Sequence, residues 1–388
     1  MAPPVATETE TSTTITNASI PLIVPNLKSD YPYEHLLPVF DKSEFYPPLK
    51  PFEHTDPGTR AAALPQSEQR AFLKNATRVR NLTPGIGTEV TGIDLTSLDG
   101  PSRDQLALEV ARRGVIAFRD QPKFLAQSAE QFREWGNYFG RLHIHPTSGH
   151  PALIPELHLV YRDVNQTFNH EQLNRISTTL WHSDVSYELQ PPGLTTFFLL
   201  AQPSSGGGDT LFVSQVLALK KLSPPFVDFL RTLKAVHSGV QQAQYSREGR
   251  RGGVVRRDPV EHGMSFTNPM CSEINLTSML AVHPVVRRHP VTGEEALYVN
   301  QQFTTHIVGL KREESETILN FLYNHIARVA DAQARVNWEP NTVVLWDNRV
   351  TAHTAIIDFV ETGERRHGAR ITPQAERPIL ALGSLELP

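Results

Sequence analysis

Trp181-His182-Ser183-Asp184-Val185 places an imidazole and a carboxylate one residue apart. In an extended strand alternate residues share a face, so His182 and Asp184 can turn toward one metal ion. Two ligands leave the site short of a third, which has to come from elsewhere in the chain. The candidate is His353, in Trp346-Asp347-Asn348-Arg349-Val350-Thr351-Ala352-His353. Two histidines and one carboxylate on one side of an ion form the facial triad of non-haem Fe(II) oxygenases, with positions left open for a co-substrate and O2. The bland alternative is a hydrogen-bonded histidine at a strand end. A second His-x-Asp, His54-Thr55-Asp56, lies between Pro51 and Pro57-Gly58, outside any strand pattern, and reads as accidental.

The pattern around the motif is that of a mainly β chain with flanking helices. Short apolar runs with Gly and Pro turns mark strands at 157–162, 178–185, 195–202, 209–214, 281–286, 296–300, 342–347, 354–359 and 367–373. Helical spacing marks 102–113, 127–139, 223–235 and 312–330. Phe132, Trp135 and Phe139 recur on one face of the second helix, which fits core packing. Such a strand count points to a double-stranded β-helix, or jelly roll, in which ligands far apart in sequence can converge. Residues 1–80 read as an N-terminal extension, partly disordered and Pro-rich, and residues 81–388 as the folded domain. Aromatics in the extension suggest that it wraps the domain surface or a neighbouring subunit, which leaves a homo-oligomer open.

Composition narrows the function. A formal charge of −4 over 388 residues gives no reason to expect nucleic-acid or membrane binding. The single cysteine, Cys271, excludes an internal disulfide and fits a reducing, cytoplasmic setting. No secretory leader and no apolar run of transmembrane length is visible.

Other residues could complete the site. Gly206-Gly207-Gly208-Asp209-Thr210 is either a flexible turn or a turn that offers the Thr210 hydroxyl to a co-substrate carboxylate. In Arg365-Arg366-His367-Gly368-Ala369-Arg370, Arg366 and Arg370 fall on one face of a strand. That strand is either a solvated edge or a wall carrying two guanidiniums, which would then need two anionic partners. His143-Ile144-His145 alternates as well; His145 suits a substrate contact or a support to the ligands, and His143 a structural role. Arg247, Arg250, Arg251, Arg256 and Arg257, interspersed with glycines, form either a mobile loop or a lid that draws anions inward.

Taken together these stretches resemble the taurine dioxygenase family of Fe(II)/2-oxoglutarate-dependent oxygenases. The resemblance runs from about Leu82 to Thr372 through Phe139–Pro146, Trp181–Val185, Gly207–Thr210, His283–Arg287, Tyr298–Asn300, Phe303–Thr305, Trp346–Thr351 and His353. It implies a jelly roll with His182, Asp184 and His353 as iron ligands. It implies Thr210 and Arg366 for the distal carboxylate of 2-oxoglutarate. It implies Arg370 and His145 for the sulfonate of a small anionic substrate, with Phe303 and the backbone of Val185 lining the pocket. Fe(II), 2-oxoglutarate and O2 would be required, and ascorbate could support turnover. The expected reaction is hydroxylation beside a sulfonate, giving sulfite, an aldehyde, succinate and CO2. The chain departs from the family's taurine-selective pattern at Ser148, near Thr178 and at Ala243, which suggests a different or bulkier organic group. The same chemistry on an alkyl sulfate ester or an aryloxy-carboxylate is the nearest rival. A metal-dependent hydrolase would leave Arg366 and Thr210 without a role. A silent binding protein on the same scaffold would leave the ligand set unexplained.

Overall fold

The computed structural model describes residues 30–162, 180–204, 206–250, 252–258, 282–359 and 364–381. Ten strands frame the site: β1 (Arg78–Asn81), β2 (Thr88–Thr91), β3 (Val115–Phe118), β4 (Leu157–Arg162), β5 (Leu194–Ala201), β6 (Thr210–Ser214), β7 (Gln333–Val336), β8 (Val343–Asp347), β9 (Thr351–Ala355) and β10 (Arg366–Ile371). The larger sheet has the order β1-β2-β3-β8-β5-β10-β4, and a smaller one runs β7-β6-β9. Every pair in them is antiparallel except β2 with β3. One buried cluster joins Val115, Phe197, Leu199, Val344 and Trp346 of the larger sheet to Phe212, Ala334 and Val336 of the smaller. The two sheets therefore face each other across a shared core, as expected for a jelly roll.

Helices close the outside. Helix α1 (Gly100–Arg113) starts where Asp99 accepts from the Ser102 amide and ends at Gly114, whose φ of 73° suits a residue without Cβ. Helix α2 (Ala129–Phe139) opens with a Ser128/Gln131 capping box. Its aromatic stripe packs on the larger sheet: Phe132 stacks 5.3 Å from Phe198, and Trp135 Nε1 donates to Thr196 Oγ1 at 3.0 Å. Helix α3 (Arg312–Arg328) covers a second apolar cluster through Leu319, Leu322 and Ile326.

Three expectations need correction. No strand spans 178–185: residues 163–179 lie outside the described segments, and Asp184 sits in a turn. The strand expected at 354–359 is β9, which begins at Thr351. β8 and β9 belong to different sheets, so the short Asn348–Val350 connection is a corner between sheets. The helix expected at 223–235 stops at Arg231, and Lys234–His237 instead pairs with Thr304–Ile307 as a strand. The chain divides into units Met1–Glu34 and His35–Pro388, and residues 35–80 fall in the larger unit. Their prolines prevent regular structure but not packing. Phe72 and Ala61 are buried, and Gln190 exchanges hydrogen bonds with both the amide and carbonyl of Phe52. The disorder expected over residues 1–20 lies outside the described residues.

Candidate metal centre and anion pocket

His182 and His353 reach each other across the sheets. Each backbone amide donates to the other's carbonyl, at 3.0 and 2.8 Å, in an isolated two-residue bridge. This bridge, not a strand alternation, aligns the two imidazoles, whose centroids lie 4.3 Å apart. The chain then turns at Val185, a β-branched residue held at φ 37°. That turn brings Asp184 Oδ1 to 3.6 Å from His182 Nε2 and 3.8 Å from His353 Nε2. Metal bonds of about 2.1 Å allow two donors on one ion to stand at most about 4.2 Å apart, so both separations fit a shared ion. The ligand atoms of the three residues all lie within 4.8 Å of one another, and no other such set of three occurs among the described residues.

The surroundings leave His182 Nε2 and Asp184 Oδ2 available, while Asp184 Oδ1 is engaged by Arg370. His182 Nδ1 donates to the Leu180 carbonyl at 2.9 Å, which presents Nε2 for coordination. Asp184 Oδ2 is buried without a hydrogen-bond partner, as a ligand oxygen awaiting an ion would be. Burial would raise the Asp184 carboxyl, but Arg370, His353 and His182 outweigh it and hold it well below the usual range. Burial and the neighbouring His182 keep His353 well below the ordinary imidazole value, in the neutral form that binds metals.

Sequence reasoning passed over Asn348, inside one of its own motifs. Asn348 Oδ1 accepts from the Asp184 amide at 3.1 Å and from Trp346 Nε1 at 3.0 Å, while its Nδ2 donates to Thr195 Oγ1 at 2.5 Å. It ties the Asp184 turn to the Trp346 ring, itself 4.9 Å from the ring of His353. Asn348 stands between the charged Asp347 and Arg349, so no local pattern singles it out, and only the fold reveals what it holds.

The two arginines lie as expected. β10 is register-shifted against β5, yet the extra residue, Leu200, belongs to β5, so the alternation along β10 is intact. Arg366 and Arg370 share a face, with Gly368 between them. A Cβ on Gly368 would lie 2.4 Å from the Phe197 ring, so only glycine admits that ring. Phe197 in turn lies 6.0 and 5.9 Å from the two guanidinium carbons. Both arginines are under a tenth exposed. Arg366 donates to the Gly208 carbonyl, Arg370 contacts Asp184 Oδ1, and both Nε atoms are buried without a partner. Burial and then Arg370 lower the Arg366 guanidinium to about 10.

A cavity of about 670 Å3 joins these parts, lined by the three metal-facing residues, Thr210, Arg366, Arg370, His145, Val185 and Phe303. Every expected site residue therefore meets in one place. Thr210 Oγ1 accepts from Trp338 Nε1 at 3.3 Å, and Asp209 is engaged by Arg335 and Asn337. His145 stacks 4.1 Å from His158, which the sequence did not single out and which pairs with Arg370 across β4 and β10. His143 is buried against Glu188 Oε1 at 2.9 Å, in keeping with a structural role. Phe303 is set by Asn300, whose Oδ1 accepts from the Phe303 amide.

Two readings change and a third holds. Ser148 lines the cavity, but Ala243 borders a separate small cleft with Tyr187 and Glu188, and Thr178 lies outside the described residues. Arg256 and Arg257 are buried, not solvated: Arg256 Nε binds Glu44 Oε2 and Arg257 binds the Pro47 carbonyl. Asp56 of the second His-x-Asp is no metal ligand; it pairs with Arg349 at 2.6 Å in a buried charge cluster with Asp347 and Glu376.

A jelly roll with two histidines and a carboxylate meeting between its sheets defines the class of non-haem iron oxygenases. The chain belongs to the family described as taurine catabolism dioxygenase TauD, TfdA family, whose model matches residues 78–372. It is similar to an alpha-ketoglutarate-dependent sulfonate dioxygenase of Saccharomyces cerevisiae, 44% identical over 91% of this chain and 79% of that protein. It is also similar to the alpha-ketoglutarate-dependent dioxygenase cnsP of Penicillium expansum, 40% identical over 90% of this chain and 88% of that protein. Among solved structures it resembles a putative alpha-ketoglutarate-dependent taurine dioxygenase of Burkholderia xenovorans, with TM-score 0.60 and 28% identity over 79% of this chain and 96% of that one. The chain is thus an oxidoreductase, a dioxygenase that uses Fe(II), 2-oxoglutarate and O2. Among the described residues no helix is long and apolar enough to cross a membrane.

Proposed function

We propose that the enzyme hydroxylates the carbon next to the sulfonate of a small organosulfonate. Bound iron, with 2-oxoglutarate and O2, supplies the oxidising power that replaces a C–H hydrogen by hydroxyl. One oxygen atom of O2 enters succinate as CO2 leaves, and the other enters the substrate. The resulting 1-hydroxysulfonate expels sulfite and leaves an aldehyde.

In this reading His182, Asp184 and His353 hold the iron. Arg366 and Thr210 grip the distal carboxylate of 2-oxoglutarate. Arg370 and His145 hold the sulfonate, and the Val185 backbone and Phe303 form the adjacent wall. The observation that carries the proposal is the pair of buried guanidiniums on one cavity face, each with an unpartnered Nε. Arg370 already pairs with Asp184 and Arg366 with the Gly208 carbonyl, yet each keeps a buried Nε–H unmet, so anionic groups entering the cavity would satisfy both. Arg370 then fixes which C–H faces the metal, where a misplacement of about 1 Å can cost about 100-fold in rate. The yeast relative's sulfonate activity supports the same substrate class. A cytoplasmic location goes with this reading, supported by a single cysteine in 388 residues.

The test is succinate formation by purified protein with Fe(II), ascorbate, 2-oxoglutarate and O2, over alkylsulfonates, taurine, sulfate esters and aryloxyacetates, with sulfite assayed in parallel. Substrate-stimulated succinate with stoichiometric sulfite is the expected result. Sulfate release, or stimulation by aryloxyacetates alone, would move the substrate class.

A further inference from the structure

The cavity has a wall from outside the segment that matches the family. Pro38 and Phe40 line it, whereas the match begins at residue 78. Phe40 is 43% exposed and lines the cavity, so part of its ring surface is open to a ligand there. Its other side is seated on backbone. A Cβ on Gly149 would fall 2.6 Å from Pro38 Cβ and 2.9 Å from two Phe40 ring atoms, and one on Gly252 would fall 2.1 Å from the ring. Both positions are glycine, which leaves room for the ring.

The arm that carries Phe40 is pinned by a buried latch. The Val39 amide donates to the His150 carbonyl at 2.9 Å, and the Tyr46 amide to the Arg256 carbonyl at 2.6 Å. Arg256 is fully buried; it binds Glu44 Oε2 at 2.5 Å, the Val39 carbonyl at 3.3 Å and the Ser148 carbonyl. His150 Nε2 meets the same Glu44 oxygen at 2.7 Å. The partners of this latch, Ser148 and His150, flank Gly149. Four residues of chain span at most roughly 14 Å, so the Gly149 backbone stands within that reach of His145. Phe40, His145 and Arg370 line the same cavity, so an anion held at His145 and Arg370 would share that space with the Phe40 ring.

We infer that Phe40, seated by Gly149 and Gly252 and latched through Glu44 and Arg256, is a specificity-determining wall that contacts the organic group of the substrate and selects for extended apolar chains. This rests on the sulfonate reading above.

The test is calorimetric binding of ethanesulfonate, butanesulfonate and hexanesulfonate to full-length protein carrying 2-oxoglutarate and Mn(II), which replaces Fe(II) so that binding is read without turnover. Each methylene that packs on the wall should tighten binding about fourfold. Phe40→Ala should therefore weaken hexanesulfonate roughly tenfold while ethanesulfonate changes less than about twofold. Gly149→Ala, which displaces the ring without removing it, should act in the same direction. A thermal melt confirms that each variant is folded. Equal shifts at all chain lengths, or a wild type that binds hexanesulfonate no better than ethanesulfonate, would overturn the wall. Failure of every sulfonate to bind the wild type would sink the sulfonate reading and the wall with it, an outcome distinct from binding without selectivity.

Discussion

Asn348→Ala isolates the positioning of Asp184 from its coordination. The substitution leaves two buried donors, the Asp184 amide and Trp346 Nε1, without an acceptor, since both now share Asn348 Oδ1. Each orphaned buried donor costs about 1–3 kcal/mol, so the fold should lose about 2–6 kcal/mol. The loss should not stop at stability. The Asp184 turn and the Trp346 ring beside His353 both relax, so two of the three ligands lose their support. Removing an orienting partner of a metal ligand typically lowers metal affinity 10- to 100-fold. Urea unfolding of the metal-free protein reads the first quantity, and Mn(II) titration of the folded protein the second. Thr195→Val is the control: it removes only the outer hydrogen bond of Asn348, and should cost about 1 kcal/mol with metal affinity within twofold of wild type. If Asn348→Ala lost stability but bound metal as tightly as the control, Asn348 would be scaffolding alone and the positioning argument would fail.

Further expectations follow from the same geometry. Arg370→Ala should raise KM for the anionic substrate with 2-oxoglutarate affinity spared; weakening of 2-oxoglutarate alone would show that Arg366 and Arg370 have been assigned the wrong way round. Asp184→Ala should abolish iron-dependent turnover, and normal activity in that variant would end the triad assignment. Asp56→Ala breaks a buried pair with Arg349, which keeps Asp347 and Glu376; unfolding should detect a loss of about 3 kcal/mol with metal affinity unchanged. Burial lowers His367 from an ordinary 6.5 to about 4. Between those values the unfolded chain binds a proton that the folded one does not, so stability is fully present above about pH 6.5 and falls as pH drops toward 4, by about 3 kcal/mol. Unfolding curves over that window should flatten in His367→Gln, and an unchanged slope would discount His367.

The local chemistry was legible wherever a residue type could serve only one purpose. His182, Asp184 and His353 stood out as a candidate ligand set of two imidazoles and a carboxylate, and Arg366 and Arg370 share a face because their segment is a strand. The aromatic stripe of α2 and the caps at Asp99 and Ser128 are equally local. The reasoning went astray where pairing partners decide. The His182–Asp184 segment looked like a strand, yet its geometry comes from a two-residue bridge to His353, 171 positions away, and a positive φ at Val185. Lys234–His237 carried a helix pattern until an edge at Thr304–Ile307 claimed it.

By itself the sequence supplied the candidate donors, the two cations and the β character of the core, because these follow from side-chain chemistry and from a two-residue period that short segments already display. Tertiary structure decided where those groups meet and what steadies them. It chose Asn348 to hold the Asp184 turn, gave Asp56 to a buried arginine instead of a metal, and buried Arg256 as a latch. It also brought the proline-rich residues 35–80 onto the domain, with Phe40 at the cavity. Such choices depend on contacts between residues tens to hundreds of positions apart, and no local pattern encodes which distant backbone will arrive to satisfy a buried donor or to seat a ring.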